Sequence, residues 1–220
     1  MPRNKVTQVF KYEELSDSAK EKARGWYRGL DGGLDYEWWD SVCDDFQTIC
    51  KILGIELKTS TVRLMGGGTI QKPEIAFSGF SSQGDGASFA GEFRGKLDMV
   101  EKIKEYAPLD TDLHNIAACL FVDFVQPYNA TCRVDITTTG RYSHSHTMRF
   151  EFNEFENAEG EWEQMEDRDR ETVVENNLRW LADWLYNRLE KDHDWLTSDE
   201  VVAENIIANE YEFDENGSPE

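Results

Sequence analysis

The sequence predicts an α+β fold: an antiparallel sheet with helices packed on it, in a single compact domain. Three observations predict it. Several stretches repeat apolar residues with the 3.6-residue period of a buried helix face. Others, flanking glycine runs, alternate apolar and polar residues with a period of two. The order of these stretches, αα-ββ-αα-ββ-αα, is that of helices laid on an antiparallel sheet. With 220 residues, 39% of them hydrophobic and 12% aromatic, the chain can bury a substantial core, which excludes wholesale disorder. Residues 1–209 are assigned to the domain, with an acidic segment at 151–170 inside it, and 210–220 to an acidic C-terminal tail.

Each element has its own warrant. "ELSDSAKEKARGWYRGL" reads as a helix capped by Ser16 or Ser18, with Ser18 and Glu21 in capping-box spacing. Trp39, Val42, Cys43, Phe46, Ile49, Cys50 and Leu53 form a clean helical stripe ended by Gly54. "IELKTSTVRLM" (55–65) alternates as a strand, "GGG" (66–68) turns the chain, and "EIAFSGF" (74–80) is a second strand. "LDMVEKIKEYA" is a short helix stopped by Pro108, and "LDTDLHNIAACLFVDFV" a stronger one. "TCRVDITTTGRYSHSHTMRFEFN" keeps a two-residue period on both sides of Gly140, a hairpin with Cys132, Val134, Ile136, Met148, Phe150 and Phe152 inward. Val174, Leu178, Leu181, Leu185 and Leu189 form the inner seam of a long helix, widened by Trp180 and Trp184. A last helix opens with a capping box at Thr197 and Glu200, and "YEFDENGSPE" ends the chain as a frayed extended piece.

Charge is the outlying property. The formal net charge is −21, from 44 acids against 23 bases, and residues 151–220 carry −18 of it. Such a field repels nucleic acid, so direct binding of DNA or RNA is excluded there. No apolar run approaches the roughly 20 residues of a membrane span. The N-terminus lacks an apolar signal region, and a cytoplasmic location follows as the expectation. Cys43, Cys50, Cys119 and Cys132 have no metal-site spacing and are read as free thiols acting as small hydrophobes.

No motif dictates a chemistry. In "FSGFSSQGDGASFAGEF" (77–93), Gly84 and Gly86 around Asp85 give a turn composition that an Asp side chain can close. The competing reading makes Ser81, Ser82, Gln83 and Asp85 a ligand loop, but it lacks the lysine or helix start of a phosphate cradle and the donor count of a calcium loop. His144 and His146, two apart on an expected strand, share one face; no third or fourth metal ligand accompanies them, so neither metal nor cofactor is predicted. Helical spacing assigns Trp39, Trp180 and Trp184 to packing and leaves Trp38 at a rim. The acidic segment is either a solvated loop or a surface that sets carboxylates where a partner expects phosphates.

"ELSDSAKEKARGWYR", "FSGFSSQGDGASFAGEF", "TTGRYSHSHTM" and "LTSDEVVAENIIANEYEFDENG" resemble a family of small proteins encoded by bacteriophages and prophages, some of them labelled antitoxins. The resemblance runs over nearly the whole chain, with "FSGFSSQGDGA" its most specific block. It implies expression in the cytoplasm of a bacterial host cell and brings no catalytic residues. With the charge map, it points to a non-enzymatic inhibitor of a bacterial defence system, of anti-CRISPR or anti-restriction type. Such a protein would cover the basic nucleic-acid-binding surface of an immune effector, as a nucleic-acid mimic. Glu151, Glu154, Glu156, Glu159, Glu161, Glu163, Glu166, Asp167 and Asp169 would supply the charge, with Trp162 an apolar anchor among them. Two alternatives stand: an antitoxin neutralising a toxin, and a small nucleotide-directed enzyme using the Gln83–Asp85 loop with His144 and His146.

Overall fold

The computed structural model describes residues 8–30, 34, 37–128, 132–156, 161–163 and 167–220, and the side chains of all of these except Phe155 and Glu156. In chain order the elements are β1 (Phe10–Lys11), α1 (Asp17–Gly29), α2 (Asp40–Leu53), β2 (Ile55–Leu57), β3 (Thr59–Arg63), β4 (Thr69–Pro73), β5 (Ile75–Phe77), β6 (Ala87–Phe89) and β7 (Gly91–Phe93). They continue with α3 (Met99–Tyr106), α4 (Thr111–Leu120), the short α5 (Gln126–Tyr128), β8 (Val134–Thr138), β9 (Met148–Phe152), β10 (Phe155–Glu156), β11 (Trp162–Glu163), α6 (Arg168–Leu196), α7 (Asp199–Ala208) and β12 (Glu212–Phe213). The architecture is α+β with antiparallel sheets, as predicted. The chain folds as two compact units, Asp40–Arg188 and Met1–Trp39 with Leu189–Glu220.

In the larger unit, β2, β7, β8 and β9 form a four-stranded antiparallel sheet in that order. Its inward residues Ile55, Phe93, Val134, Ile136 and Met148 are buried, because side chains two apart on a strand share a face. Helix α2 buries Val42, Phe46, Ile49, Cys50 and Leu53, the stripe read from the sequence. Gly54 ends it at φ +82, where a side chain would also strike the backbone of Gly95. Aromatic pairs Phe46–Phe89 (5.3 Å) and Phe93–Phe124 (5.1 Å) fill the interior. The strand expected at 55–65 is two: β2 stays in the sheet, while β3 leaves it to pair with β4 as a hairpin around Gly66–Gly68. The helix expected through Val125 ends as α4 at Leu120 and widens to a π-helical turn over Phe121–Val125.

The seam of α6 is buried at Val174, Leu178, Leu181, Leu185 and Leu189. Trp180 does not widen it: at 100° per residue it lies about 120° from Val174, and it is 55% exposed.

In the smaller unit, Tyr12, Leu15, Ala19, Ala23, Val202, Ile206 and Phe213 form one core cluster, edged by Trp26, Tyr27 and Tyr211. Ser16, not Ser18, caps α1, accepting from the Ala19 amide at 3.3 Å. Ser198 rather than Thr197 caps α7; the Thr197 hydroxyl donates instead to the His193 carbonyl. The last residues are not frayed. Strand β12 pairs with β1 and buries Phe213, and Asp214 accepts from the amides of Asn216 and Ser218 at 2.9 and 2.8 Å. At Gly217, φ is +80 and a Cβ would collide with the Ala19 carbonyl. Trp38 is half-buried, edge-on to Trp39 and 5.7 Å from the His193 ring.

Candidate functional site

The outward face of the four-stranded sheet carries a feature that no single stretch of sequence announces. Register places Glu56 opposite Glu92, Glu92 opposite Asp135 and Asp135 opposite Glu151. Four carboxylates therefore stand in one row across all four strands, spanning about 14 Å at the roughly 4.8 Å strand spacing. Like charges directly opposite destabilise a sheet, so the row needs compensation. The middle receives it. Arg94 pairs with Glu92 at 2.6 Å, and Arg133 bridges Glu92 and Asp135 at 3.4 and 3.3 Å. Asn153 donates to Asp135 at 2.9 Å. The end carboxylates Glu56 and Glu151 have no basic partner among the described residues. A shallow concavity of about 660 Å³ lies over the row. At Gly91, β7 runs so close to β2 that a Cβ would sit 2.5 Å from the Glu56 carbonyl.

Beyond the Glu151 end, the chain turns through β10 and β11, where Phe155 pairs with Glu163 and Glu156 with Trp162. A second concavity, about 510 Å³, is lined by Glu151, Glu154, Trp162, Arg94 and Arg133. Trp162 is 69% exposed and stands between exposed Glu161 and Glu163. Glu151, Glu154 and Trp162 are thus brought together, with Glu161 and Glu163 beside the tryptophan. Asp167 and Asp169 stand at the start of α6. Asp167 accepts from the Arg170 amide at 3.1 Å and pairs with its guanidinium, and Asp169 lies in the first turn of α6, where the helix dipole favours an acid. Glu156 is placed as a strand position alone, and Glu159 and Glu166 lie outside the described residues.

The loop at 78–86 is the connection of the β5–β6 hairpin, and its aspartate is structural. Asp85 Oδ2 accepts from the amides of Ser82 (2.6 Å) and Ser81 (3.0 Å). The Ser82 amide foremost, with those of Ser81 and the Ser78 hydroxyl, holds the carboxyl below the usual aspartate range. Ser78 Oγ accepts from the Gly86 amide, and a Cβ on Gly86 would lie 2.9 Å from the His144 ring. The loop and "SHSH" are therefore neighbours.

The two histidines do not lie on a strand. Ser145–Thr147 is a 3-10 turn in which His144 Nδ1 accepts from the His146 amide and the rings stack at 5.2 Å. Arg179 on α6 donates to the Ser145 and Met148 carbonyls at 2.7 and 2.9 Å, and Tyr186 to the Gly79 carbonyl at 3.0 Å. These bonds build a rigid corner. Asp85, the only acid in that loop, is engaged by backbone amides, while Ser81, Ser82 and Gln83 are exposed. Among the described residues, no group of three or more metal-ligating side chains occurs.

The sequence reading missed Glu56, Glu92, Asp135, Arg94 and Arg133. The three acids are unremarkable outward strand residues and the two arginines flank β7 and β8, so only register brings them together. The excess negative charge is divided: residues 151–188, with 12 acids and 4 bases, lie in the larger unit, and residues 189–220, with 11 acids and one base, in the smaller.

A family profile described as a domain of unknown function, DUF8835, matches residues 38–199, and the chain belongs to that family. No curated protein and no solved structure matches the chain.

Proposed function

We propose that this member of the DUF8835 family is a non-enzymatic binding protein that docks its acidic sheet edge on the cationic, nucleic-acid-binding surface of a bacterial immune effector. The observation that carries the reading is Trp162: 69% exposed, flanked by Glu161 and Glu163, and sharing a concavity with Glu151 and Glu154. A large aromatic held in water beside carboxylates has the composition of an interface anchor with a charged rim. The rim speeds encounter with a basic partner and the ring supplies the buried contact.

Mimicry of a polyanion extends from there along the carboxylate row. One charge per roughly 4.8 Å of row compares with one per 3.4 Å along a single DNA strand. Arg94 and Arg133 cancel the middle of the row, so the contact centres on its Glu151 end and the β10–β11 hairpin. The assignment to phage-borne defence inhibition in the bacterial cytoplasm rests on the likeness of "FSGFSSQGDGASFAGEF" and its companion stretches to phage and prophage proteins. Among the described residues no helix is long and apolar enough to cross a membrane.

The test is affinity purification of the tagged protein from bacterial cells, with mass spectrometry of what accompanies it. A nucleic-acid-binding effector is expected. Trp162→Ala should weaken that complex by at least ~2 kcal/mol, roughly thirtyfold. Glu161→Lys with Glu163→Lys should slow association, most at low salt. Affinity indifferent to both salt and Trp162 would sink the proposal. Recovery of a toxin whose lethality appears on deleting this gene would favour the antitoxin reading.

A further inference from the structure

A groove of about 320 Å³ runs between α4 and α6, and it shares no residue with the acidic sheet edge. Helical spacing builds it. Positions 112, 115, 116 and 119 of α4 face positions 177, 180, 184 and 187 of α6, each set lying along one side of its helix. Trp184 fixes the geometry by donating from Nε1 to Asp110 Oδ2 at 2.9 Å, next to the start of α4. Ile116 is buried at the floor, and Trp180, 55% exposed, forms a wall.

The polar lining is one-sided. Asp112 and Asp183 are exposed, have no basic partner among the described residues, and meet no lysine or arginine in the groove. Asn177 is 2% exposed; its Nδ2 donates to the Val173 carbonyl at 2.8 Å, which fixes the amide's orientation, and its Oδ1 has no hydrogen-bond partner. A buried acceptor left unsatisfied is costly and rare in folded proteins. The groove thus offers two carboxylates and two indole rings, with the Asn177 side chain in its lining, and it asks for a positively charged, flat-faced group with an apolar stem.

We infer that the α4–α6 groove binds a guanidinium group, stacked on Trp180 and Trp184 and paired with Asp112 and Asp183. A guanidinium fits better than an ammonium because it is planar, weakly hydrated and stacks on aromatic faces while its edge donates up to five hydrogen bonds. The volume lies at the lower end of small-ligand pockets, the size for a head group and a short stem. The group can arrive on a free metabolite or as the arginine of a partner protein.

Calorimetry with n-butylguanidinium against the neutral isostere n-butylurea tests the inference on the whole protein. The cation should bind and the urea should bind at least tenfold more weakly. Asp183→Asn and Trp180→Ala, both exposed changes that leave the core intact, should each weaken the cation about three- to tenfold. Cys119 lines the groove and gives a second readout. Cys50 and Cys132 are buried, and burial pushes the thiol of half-buried Cys43 up to about 11, so iodoacetamide at mildly alkaline pH should label half-buried Cys119 before them. Bound n-butylguanidinium should slow that labelling. A blocked Gly-Arg-Gly peptide separates the sources: binding at least as tight as the free cation assigns the site to a protein-borne arginine, and exclusion assigns it to a small molecule. Equal binding of guanidinium and urea, or binding and labelling unmoved by Asp183→Asn and Trp180→Ala, would overturn the inference.

Discussion

Arg133→Gln is expected to destabilise the larger unit in a salt-dependent way. Arg133 reaches Glu92 at 3.4 Å and Asp135 at 3.3 Å, and removing its charge leaves Arg94 alone against four aligned carboxylates. At 3.4 Å and an effective dielectric constant of about 20, Coulomb's law gives about 5 kcal/mol per pair. The side chains of Arg133 and Glu92 are 37% and 27% exposed, so water screens most of that and each pair is worth about 0.2–1 kcal/mol. The unmasked repulsion between opposed carboxylates adds about as much again. Two pairs and one repulsive contact at about 0.2–1 kcal/mol each sum to a loss of about 0.6–3 kcal/mol, read as a lower urea midpoint at unchanged slope. In 1 M salt, where the screening length falls to about 3 Å, the loss should drop by at least half. Glu56→Gln removes a carboxylate at the uncompensated end of the row and should act oppositely, stabilising by a few tenths of a kcal/mol. If Arg133→Gln is neutral, or its effect is the same in low and high salt, the carboxylates are not electrostatically coupled and the row is incidental. Under the proposed function the same variant should associate faster with its basic partner, since the face becomes more negative as it becomes less stable.

Other expectations are independent of that row. Asp85→Asn should destabilise the protein at neutral pH. The folded-state pKa of Asp85 is depressed, so its contribution is present above the unfolded value of about 3.9 and fades as pH falls through the folded one. The wild-type and variant urea curves should therefore converge in acid, and a gap that persists there would contradict the hydrogen-bonded turn. Phe213→Ala should cost about 3–5 kcal/mol by opening the core of the smaller unit, measured by thermal or urea unfolding. Gly217→Ala should also destabilise, because φ is +80 there and the Ala19 carbonyl occupies the space a methyl would need. Wild-type stability in either variant would mean that the C-terminus is a free tail.

Periodic features were legible in the sequence. The stripe of α2, its stop at Gly54, the Gly140 hairpin and the leucine seam of α6 follow from local chemistry, because 3.6- and two-residue periods place side chains before any tertiary contact forms. The caps were legible only to within a residue or two, since Ser16 and Ser18, or Thr197 and Ser198, have the same chemistry and packing selects between them. The 55–65 alternation was real, but it hid the point at which the chain leaves one sheet for a separate hairpin.

By itself, the sequence determined the fold class, most of the helix faces, the charge excess and the role of Asp85 as a turn residue, because each follows from composition or from spacing along the chain. Tertiary structure alone decided which strands lie side by side. Register here relates residues 16 to 43 positions apart, and it set Glu56, Glu92, Asp135 and Glu151 in one row, with arginines holding its centre. Structure also assembled the α4–α6 groove and divided the acidic excess between two units, because charge totals add along the chain while fields and binding sites depend on distance in space.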